Sequence, residues 1–354
     1  LLSSLNPVYF VVFIASMAIT HTFVDFIPSI FLGCPDTDTE LSVLPGHEML
    51  KQGLGYEAIL LTCYGGLAAI FILILISYPS ILLVPKIYNS IKSSIPYILI
   101  ILSLIMVFTE KKKFNALVVF LVSGFLGWSV LNMGLKEPLL PLLSGLFGSS
   151  MLILSIKDKI QIPKQKITKP DIKITKPILG SLVSSPLCGF LPGLGSGQAA
   201  VMGNIIAKTD RKGFLVLLGA TNTLVMGISF ISLYTISKTR TGAAVAVQEL
   251  IGNMDKNILI LTLGIILFSG IFSFFLTRFL ARYFSQKVNR INYSFLSLIT
   301  LTILTIIVFL LSGLFGLVVL FVSTLTGIYC ISLKVKRTHM MGCLLLPTIL
   351  LYLV

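Results

Sequence analysis

Ten apolar runs of about 15 to 24 residues punctuate the chain, at 7–25, 55–78, 95–108, 114–131, 138–156, 213–236, 257–277, 293–311, 313–333 and 340–354. Most can cross a hydrocarbon layer of roughly 30 Å as helices, which predicts about ten crossings. A soluble core cannot hide this much apolar surface: 56% of the 354 residues are hydrophobic and 11% charged, and the mean hydropathy is +1.00. Lipid requires each backbone amide to be satisfied inside the protein, and runs so long and continuous do not alternate as barrel strands do. The predicted class is an all-α polytopic membrane protein.

The net charge of +14 does not mark a nucleic-acid binder. The basic residues fall between apolar runs without aromatic interleaving, and they read as topology signals instead. The five cysteines (Cys34, Cys63, Cys188, Cys330 and Cys343) show no paired metal spacing and read as small buried hydrophobes.

Sliding the sequence against itself exposes a duplication. At an offset of 201, Thr20-His21-Thr22-Phe23-Val24 meets Thr221-Asn222-Thr223-Leu224-Val225, and His47-Glu48-Met49-Leu50 meets Gln248-Glu249-Leu250-Ile251. At an offset of 200, LVVFLVSGFLG (117–127) meets LVVLFVSTLTG (317–327). Charge decides the relative sense of the copies, because Lys and Arg in short loops mark the cytoplasmic side. Residues 157–177 carry seven Lys against two Asp and are placed inside. Working outward, Lys111 to Lys113, Lys208/Arg211/Lys212, Arg278 to Arg290 and Lys334/Lys336/Arg337 also fall inside, while their repeat partners fall outside and are poorer in charge. Five crossings per copy, an odd number, turn the second copy upside down. The expected organisation is an inverted-topology repeat of about five transmembrane helices each, an architecture that secondary transporters use to build a site between halves. The first copy spans 1–156, a basic cytoplasmic linker 157–177, and the second copy 178–354. Residues 178–206 lie between two inside markers and are broken by Pro186, Gly189, Pro192, Gly193, Gly195 and Gly197, so they read as a re-entrant segment. Its counterpart would lie upstream of Leu1, where an additional Pro-Gly-rich segment is expected in the natural gene.

Candidate chemistry begins with FLPGLGSGQ (190–198). Glycine lets backbone approach a ligand closely, and proline interrupts a helix, so this loop exposes amides at membrane depth. A helix starting near Ser196 or Gln198 would aim free N–H groups and a positive dipole end at a carboxylate or phosphate. Pro192, Gly193, Gly195, Ser196, Gly197 and Gln198 are the substrate-binding candidates there; the bland alternative is a tight helix contact through small residues. His21, Thr22, Asn222 and Thr223 are candidates from the repeated Thr-x-Thr, since polar groups within a span face a cavity or a partner. His21 suits a proton relay, and the oxygens at Thr20, Thr221 and Asn222 suit a Na⁺ ion; interhelical hydrogen bonding is the plain alternative. Asp25, Asp36, Asp38, His47, Lys238 and Arg240 are candidates for gating or ion coupling, with solvated loop charge as the alternative. Pro28, Pro35, Pro45 and Gly46-His47-Glu48 suggest a second broken, re-entrant segment.

Enzyme chemistry is poorly provided for. A metalloprotease helix would need His where Lys51 stands, the chain has three His in all, and Asp25 has Met226 as its repeat partner where an intramembrane aspartyl protease needs a second Asp. The chain is expected not to be an enzyme and to carry no cofactor.

FLPGLGSGQAA, PSIFLGCPDTDTELSVLPGHEML and the inverted halves resemble the large membrane subunit of the tripartite tricarboxylate transporters, in particular its shorter archaeal relatives of uncharacterised function. The resemblance implies a secondary transporter in the cytoplasmic membrane that moves an organic anion, a di- or tricarboxylate, by alternating access coupled to Na⁺ or H⁺. It also implies a small membrane subunit and an extracytoplasmic binding protein as partners, and a homodimer is compatible with it. The rival readings are a flippase for a polyprenyl-phosphate lipid, whose phosphate the same amides would suit, and, behind it, an intramembrane enzyme.

Overall fold

The computed structural model describes residues 6–33, 39–91, 93–157, 162–171, 173–190, 195–239, 241–288 and 293–353. Among them every regular element is helical. Helix α1 (Pro7–Val24) starts where Asn6 Oδ1 accepts from the Val8 amide and Pro7 takes a first-turn position that needs no N–H. There follow α2 (Phe26–Phe31), a 3-10 turn (Glu40–Ser42), α3 (Val43–Lys51), α4 (Gly55–Ile91), α5 (Ile95–Phe108), α6 (Lys113–Leu131), α7 (Leu139–Leu143), a π-helical turn (Ser144–Ser149) and α8 (Ser150–Lys157). The second half holds α9 (Thr175–Phe190), α10 (Ser196–Ala207), α11 (Arg211–Ile236), α12 (Gly242–Ile251), α13 (Lys256–Lys287), α14 (Tyr293–Ser332), a 3-10 turn (Arg337–Met341) and α15 (Gly342–Leu353).

Among the described residues seven helices are long and apolar enough to cross a membrane, against about ten crossings expected. The difference lies in length and continuity. The runs at 95–108 and 340–354 form shorter apolar helices, and those at 293–311 and 313–333 join end to end as α14 across Gly313, whose φ of 66° and ψ of −161° interrupt the helix. On α13, Phe268, Phe272, Phe275 and Phe279 recur at helical spacing and are 59–77% exposed, a stripe suited to lipid rather than water.

The helices form two compact units, each drawn from both halves of the sequence. The first comprises Leu1–Asp25, Leu60–Lys92 and Pro170–Ala281; the second comprises Phe26–Ile59, Ser93–Lys169 and Arg282–Val354. Within the first, α11 is buried along nearly its whole length, with α1, α9, α10 and α12 packed on it. Its seam with α4 closes through glycine: a Cβ added at Gly219 would collide with the Thr62 carbonyl, and one at Gly65 with the Val216 carbonyl. Within the second unit, a Cβ at Gly127 would strike the Cys343 carbonyl where α6 meets α15, and one at Gly327 the Leu146 carbonyl where α14 meets the π-helical turn. In lipid, helices associate largely through such close backbone approach.

The basic segment after α8 is pinned rather than merely solvated. Gln165 Oε1 accepts from the Gly55 amide at 2.8 Å, its Nε2 donates to the Leu50 carbonyl at 3.1 Å, and the Lys166 amide donates to the Gly53 carbonyl at 2.7 Å. One side chain thus serves both the end of α3 and the start of α4, whose terminal groups lack helical partners.

A second polar tie joins the α5–α6 turn to the segment after α14. Glu110 accepts from the Lys111 amide at 3.0 Å, its Oε2 lies 3.4 Å from His339 Nε2, and Lys336 Nζ is 3.9 Å away. Burial alone would push the Glu110 carboxyl up, but the Lys111 amide, the His339 hydrogen bond and the nearby Lys336 charge outweigh it and hold the group below the usual carboxylate value. A depressed folded-state value means that the unfolded chain takes up the proton first as pH falls, so this tie stabilises fully above about pH 4.3 and is lost as pH drops through the folded value. Melting curves should therefore show the wild type ahead of Glu110→Gln at pH 7, with the gap shrinking below about pH 4.3; a gap that widened in acid would reverse the assignment.

Candidate functional site

Helices α9 and α10 pack as a hairpin in the first unit, and with 16 and 12 residues each is short of the roughly 20 needed to cross a bilayer. Gly180 and Gly203 allow the approach, since a Cβ on Gly203 would sit 2.8 Å from the Gly180 carbonyl oxygen. Pro192 and Gly193 lie outside the described residues. Gly195 caps α10 in extended conformation, and its amide donates to Gln198 Oε1. Ser196 and Gln198 are each 2% exposed, Gly197 is buried, and Gln198 Nε2 has no hydrogen-bond partner. A helix start combined with an enclosed, unused amide donor is an arrangement that attracts a negative group.

The repeated Thr-x-Thr positions are only partly alike in their surroundings. Thr22 Oγ1 lies 3.4 Å from Thr223 Oγ1, so two residues 201 apart in sequence touch each other. Each of these hydroxyls already donates within its own helix: Thr22 to the Ile19 carbonyl at 2.8 Å, Thr223 to the Gly219 carbonyl at 3.1 Å. A hydroxyl has a single proton, so either one bridges the 3.4 Å contact only in place of its bond to its own helix. Thr20 accepts from Ser273 Oγ at 3.0 Å, and Thr221 is fully buried. Asn222 is 3% exposed with Nδ2 unpartnered, whereas its sequence counterpart His21 is exposed on α1. The structure therefore pairs Thr22 with Thr223 and Thr20 with Ser273, and buries Asn222 on α11 while His21 is exposed on α1.

The charged candidates are more scattered. Lys238 is exposed beyond α11, donates to the Tyr88 hydroxyl at 2.6 Å and lies 5.0 Å from that ring's centroid. Asp25 is half-buried at the end of α1. His47 is buried on α3 in the second unit, with its Nε2 against Gly33, where an added Cβ would lie 2.8 Å away. Asp36, Asp38 and Arg240 lie outside the described residues. No group of three or more His, Cys, Asp or Glu side chains placed to hold a metal occurs among the described residues.

Two residues carry more than the sequence reading assigned them. Ser273 is fully buried against Thr20, and a lone Ser in an apolar run is the sort of signal that marks an inward face. Arg337 served only as a topology marker beside Lys334 and Lys336; those lysines are exposed, but Arg337 is 8% exposed.

The family model described as the tripartite tricarboxylate transporter TctA family matches residues 1–342. The chain belongs to that family. It is a multi-pass membrane protein by that membership and by its apolar helices. An uncharacterised protein of Methanocaldococcus jannaschii is 34% identical over 356 residues, covering 97% of this chain and 89% of the relative. No solved structure matches the chain.

Proposed function

We propose that this TctA-family chain is a secondary active transporter, not an enzyme, that moves an organic anion, a di- or tricarboxylate, across the cytoplasmic membrane by alternating access. The observation that carries the reading is the start of α10, where first-turn amides and the unpartnered Gln198 Nε2 are enclosed in the first unit. Gly195, Ser196, Gly197 and Gln198, with Pro192 and Gly193 ahead of them, hold one carboxylate, and buried Asn222 offers a further donor.

An inverted repeat supports alternating access, and two contacts favour it. Equivalent residues that touch, Thr22 and Thr223, are what a two-fold relation produces at its axis. The start of α6 meets the end of α14, through Asn115 Nδ2 to the Leu333 carbonyl at 3.4 Å, although α6 corresponds in sequence to the second part of α14. Copies of the same sense would put those ends at opposite faces; inverted copies bring them together. The coupling cation, Na⁺ in this reading, sits at Thr22 and Thr223 with Thr20, Thr221 and Asn222 nearby in the same unit. The linker 157–177 faces the cytoplasm, and a small membrane subunit and an extracytoplasmic binding protein complete the transporter, as the family's tripartite name suggests.

Uptake of radiolabelled succinate and citrate into proteoliposomes tests the site. Gly195→Trp should abolish uptake while leaving helical content and elution unchanged, and Gln198→Ala should lower it by about 10- to 100-fold, the worth of a hydrogen bond to a charged group. Undiminished uptake by a folded Gly195→Trp protein would remove α10 from the substrate path.

A further inference from the structure

Arg337 opens the 3-10 turn before α15, in the second unit, whereas the α10 site lies in the first. Its Nη2 reaches back to the π-helical turn and donates to the Leu146 carbonyl at 3.2 Å, the Phe147 carbonyl at 2.9 Å and Ser150 Oγ at 3.1 Å. That use is local: a π-helical turn shifts the hydrogen-bond register, and one guanidinium nitrogen serves the carbonyls it leaves. A guanidinium has five N–H donors, two of them on Nη2. The remaining donors, on Nε and Nη1, are buried with no hydrogen-bond partner.

The charge is as incompletely served as the donors. Among the described residues the ion pairs of this region join Lys336 and His339 to Glu110, not to Arg337. The Phe147 ring, its centroid 5.6 Å from Cζ, offers a partial negative face on one side only. Among the described residues the titratable groups within electrostatic reach are His47 and Cys330, neither of which brings a carboxylate. Carbonyl dipoles orient a buried cation but do not neutralise it, and ionisable groups at membrane depth are characteristically paired or functional.

We propose that Arg337 is the centre of an anion-binding site in the second unit, taking a monovalent oxyanion of the carboxylate type on its Nε and Nη1 donors. One guanidinium balances one negative charge, so a carboxylate leaves no net charge buried, whereas a phosphate dianion would. The planar oxyanion also matches the planar donor group. Both nitrogens are enclosed, so the anion enters as the π-helical turn and the Arg337 turn part; π-helical turns recur at functional sites for this kind of local rearrangement. The site does not depend on the transport reading, because it lies on different residues in a different unit.

The test is equilibrium binding of radiolabelled acetate to the purified full chain in detergent, at pH 7, in a buffer free of chloride and other carboxylates. The expected result is saturable acetate binding, measured in the Gln198→Ala background that removes the α10 donor, that is weakened at least about tenfold by adding Arg337→Gln or Arg337→Lys. Chloride and inorganic phosphate serve as competitors, and acetate should be held in preference to both. If Arg337→Gln does not fold, Arg337→Lys decides. Absence of saturable acetate binding in the Gln198→Ala background, binding unchanged in a folded Arg337 variant, or a site that takes chloride and not acetate would each overturn the proposal. Failure of succinate or citrate uptake would leave it standing.

Discussion

Gly219→Leu is expected to unfold the first unit at markedly lower temperature than the wild type, the substitution costing about 3 kcal/mol of stability. Two effects of the substitution oppose each other. Replacing glycine inside a helix gains about 0.5–1 kcal/mol of backbone entropy and propensity. Against this, a Cβ at Gly219 meets the Thr62 carbonyl of α4, and a neighbouring backbone cannot rotate away as a flexible side chain can. The helices must separate instead, and the reciprocal contact, Gly65 against the Val216 carbonyl, opens with them. The steric term wins because it acts on two backbones at once. The contrast is Gly264 on α13, where an added Cβ meets nothing within 4 Å; Gly264→Ala should raise stability by up to about 1 kcal/mol. Thermal unfolding of both variants in the same detergent checks the pair. A Gly219→Leu protein that melts with the wild type would mean that α4 and α11 do not lie in contact. Because Gly219 also accepts the Thr223 hydroxyl proton through its carbonyl, the seam that sets stability is the one that positions the polar residues of α11.

The class of the fold was legible in the sequence because spanning lipid leaves so few options. All ten apolar runs coincide with helices, and the break between the last two long ones falls at Gly313, where the sequence reading had divided them. What could not be read was neighbourhood. Hydrophobic runs report that a segment is buried, not against what, so nothing in residues 26–59 announces that they pack in one unit with 93–169 while residues 1–25 pack in the other. The same limit governs the sites. Asn222 and His21 share a register in sequence, yet α11 is enclosed on nearly all sides and α1 is not, so one is buried and the other exposed. Arg337 was missed for a related reason: flanked by Lys334 and Lys336 it has the composition of a solvated loop, and only the π-helical turn packed behind it makes it an interior cation. Start signals were more readable. The loop before Gln198 offered a helix start near Ser196 or Gln198, and α10 begins at Ser196, where Gln198 returns its side-chain oxygen to the Gly195 amide.

Thr22→Val combined with Thr223→Val is expected to leave the protein stable but strip transport of its cation dependence. An ordinary interhelical hydrogen bond would cost only about 0.6 kcal/mol on average in a membrane bundle when lost and would leave Na⁺ dependence intact, so the Na⁺ response is what separates the two readings. Each hydroxyl also reaches a carbonyl of its own helix, Thr22 to Ile19 and Thr223 to Gly219, so both oxygens are free to face a shared ion when the protons turn to those carbonyls. A positive centre between them would draw both oxygens as acceptors. Hard cations of the size of Ca²⁺, which Na⁺ nearly shares, hold oxygens at about 2.3–2.6 Å, and two ligands at right angles are then roughly 3.3–3.7 Å apart. The observed separation falls within that range. The double variant should therefore keep a melting temperature close to that of the wild type, lose at least about tenfold in its stimulation by Na⁺, and show no further loss when Asn222→Ala is added, because residues serving one ion act as a unit. Uptake that stays fully Na⁺-dependent in the double variant would move the coupling ion away from the contact between α1 and α11. A large fall in melting temperature with Na⁺ dependence intact would make that contact structural only.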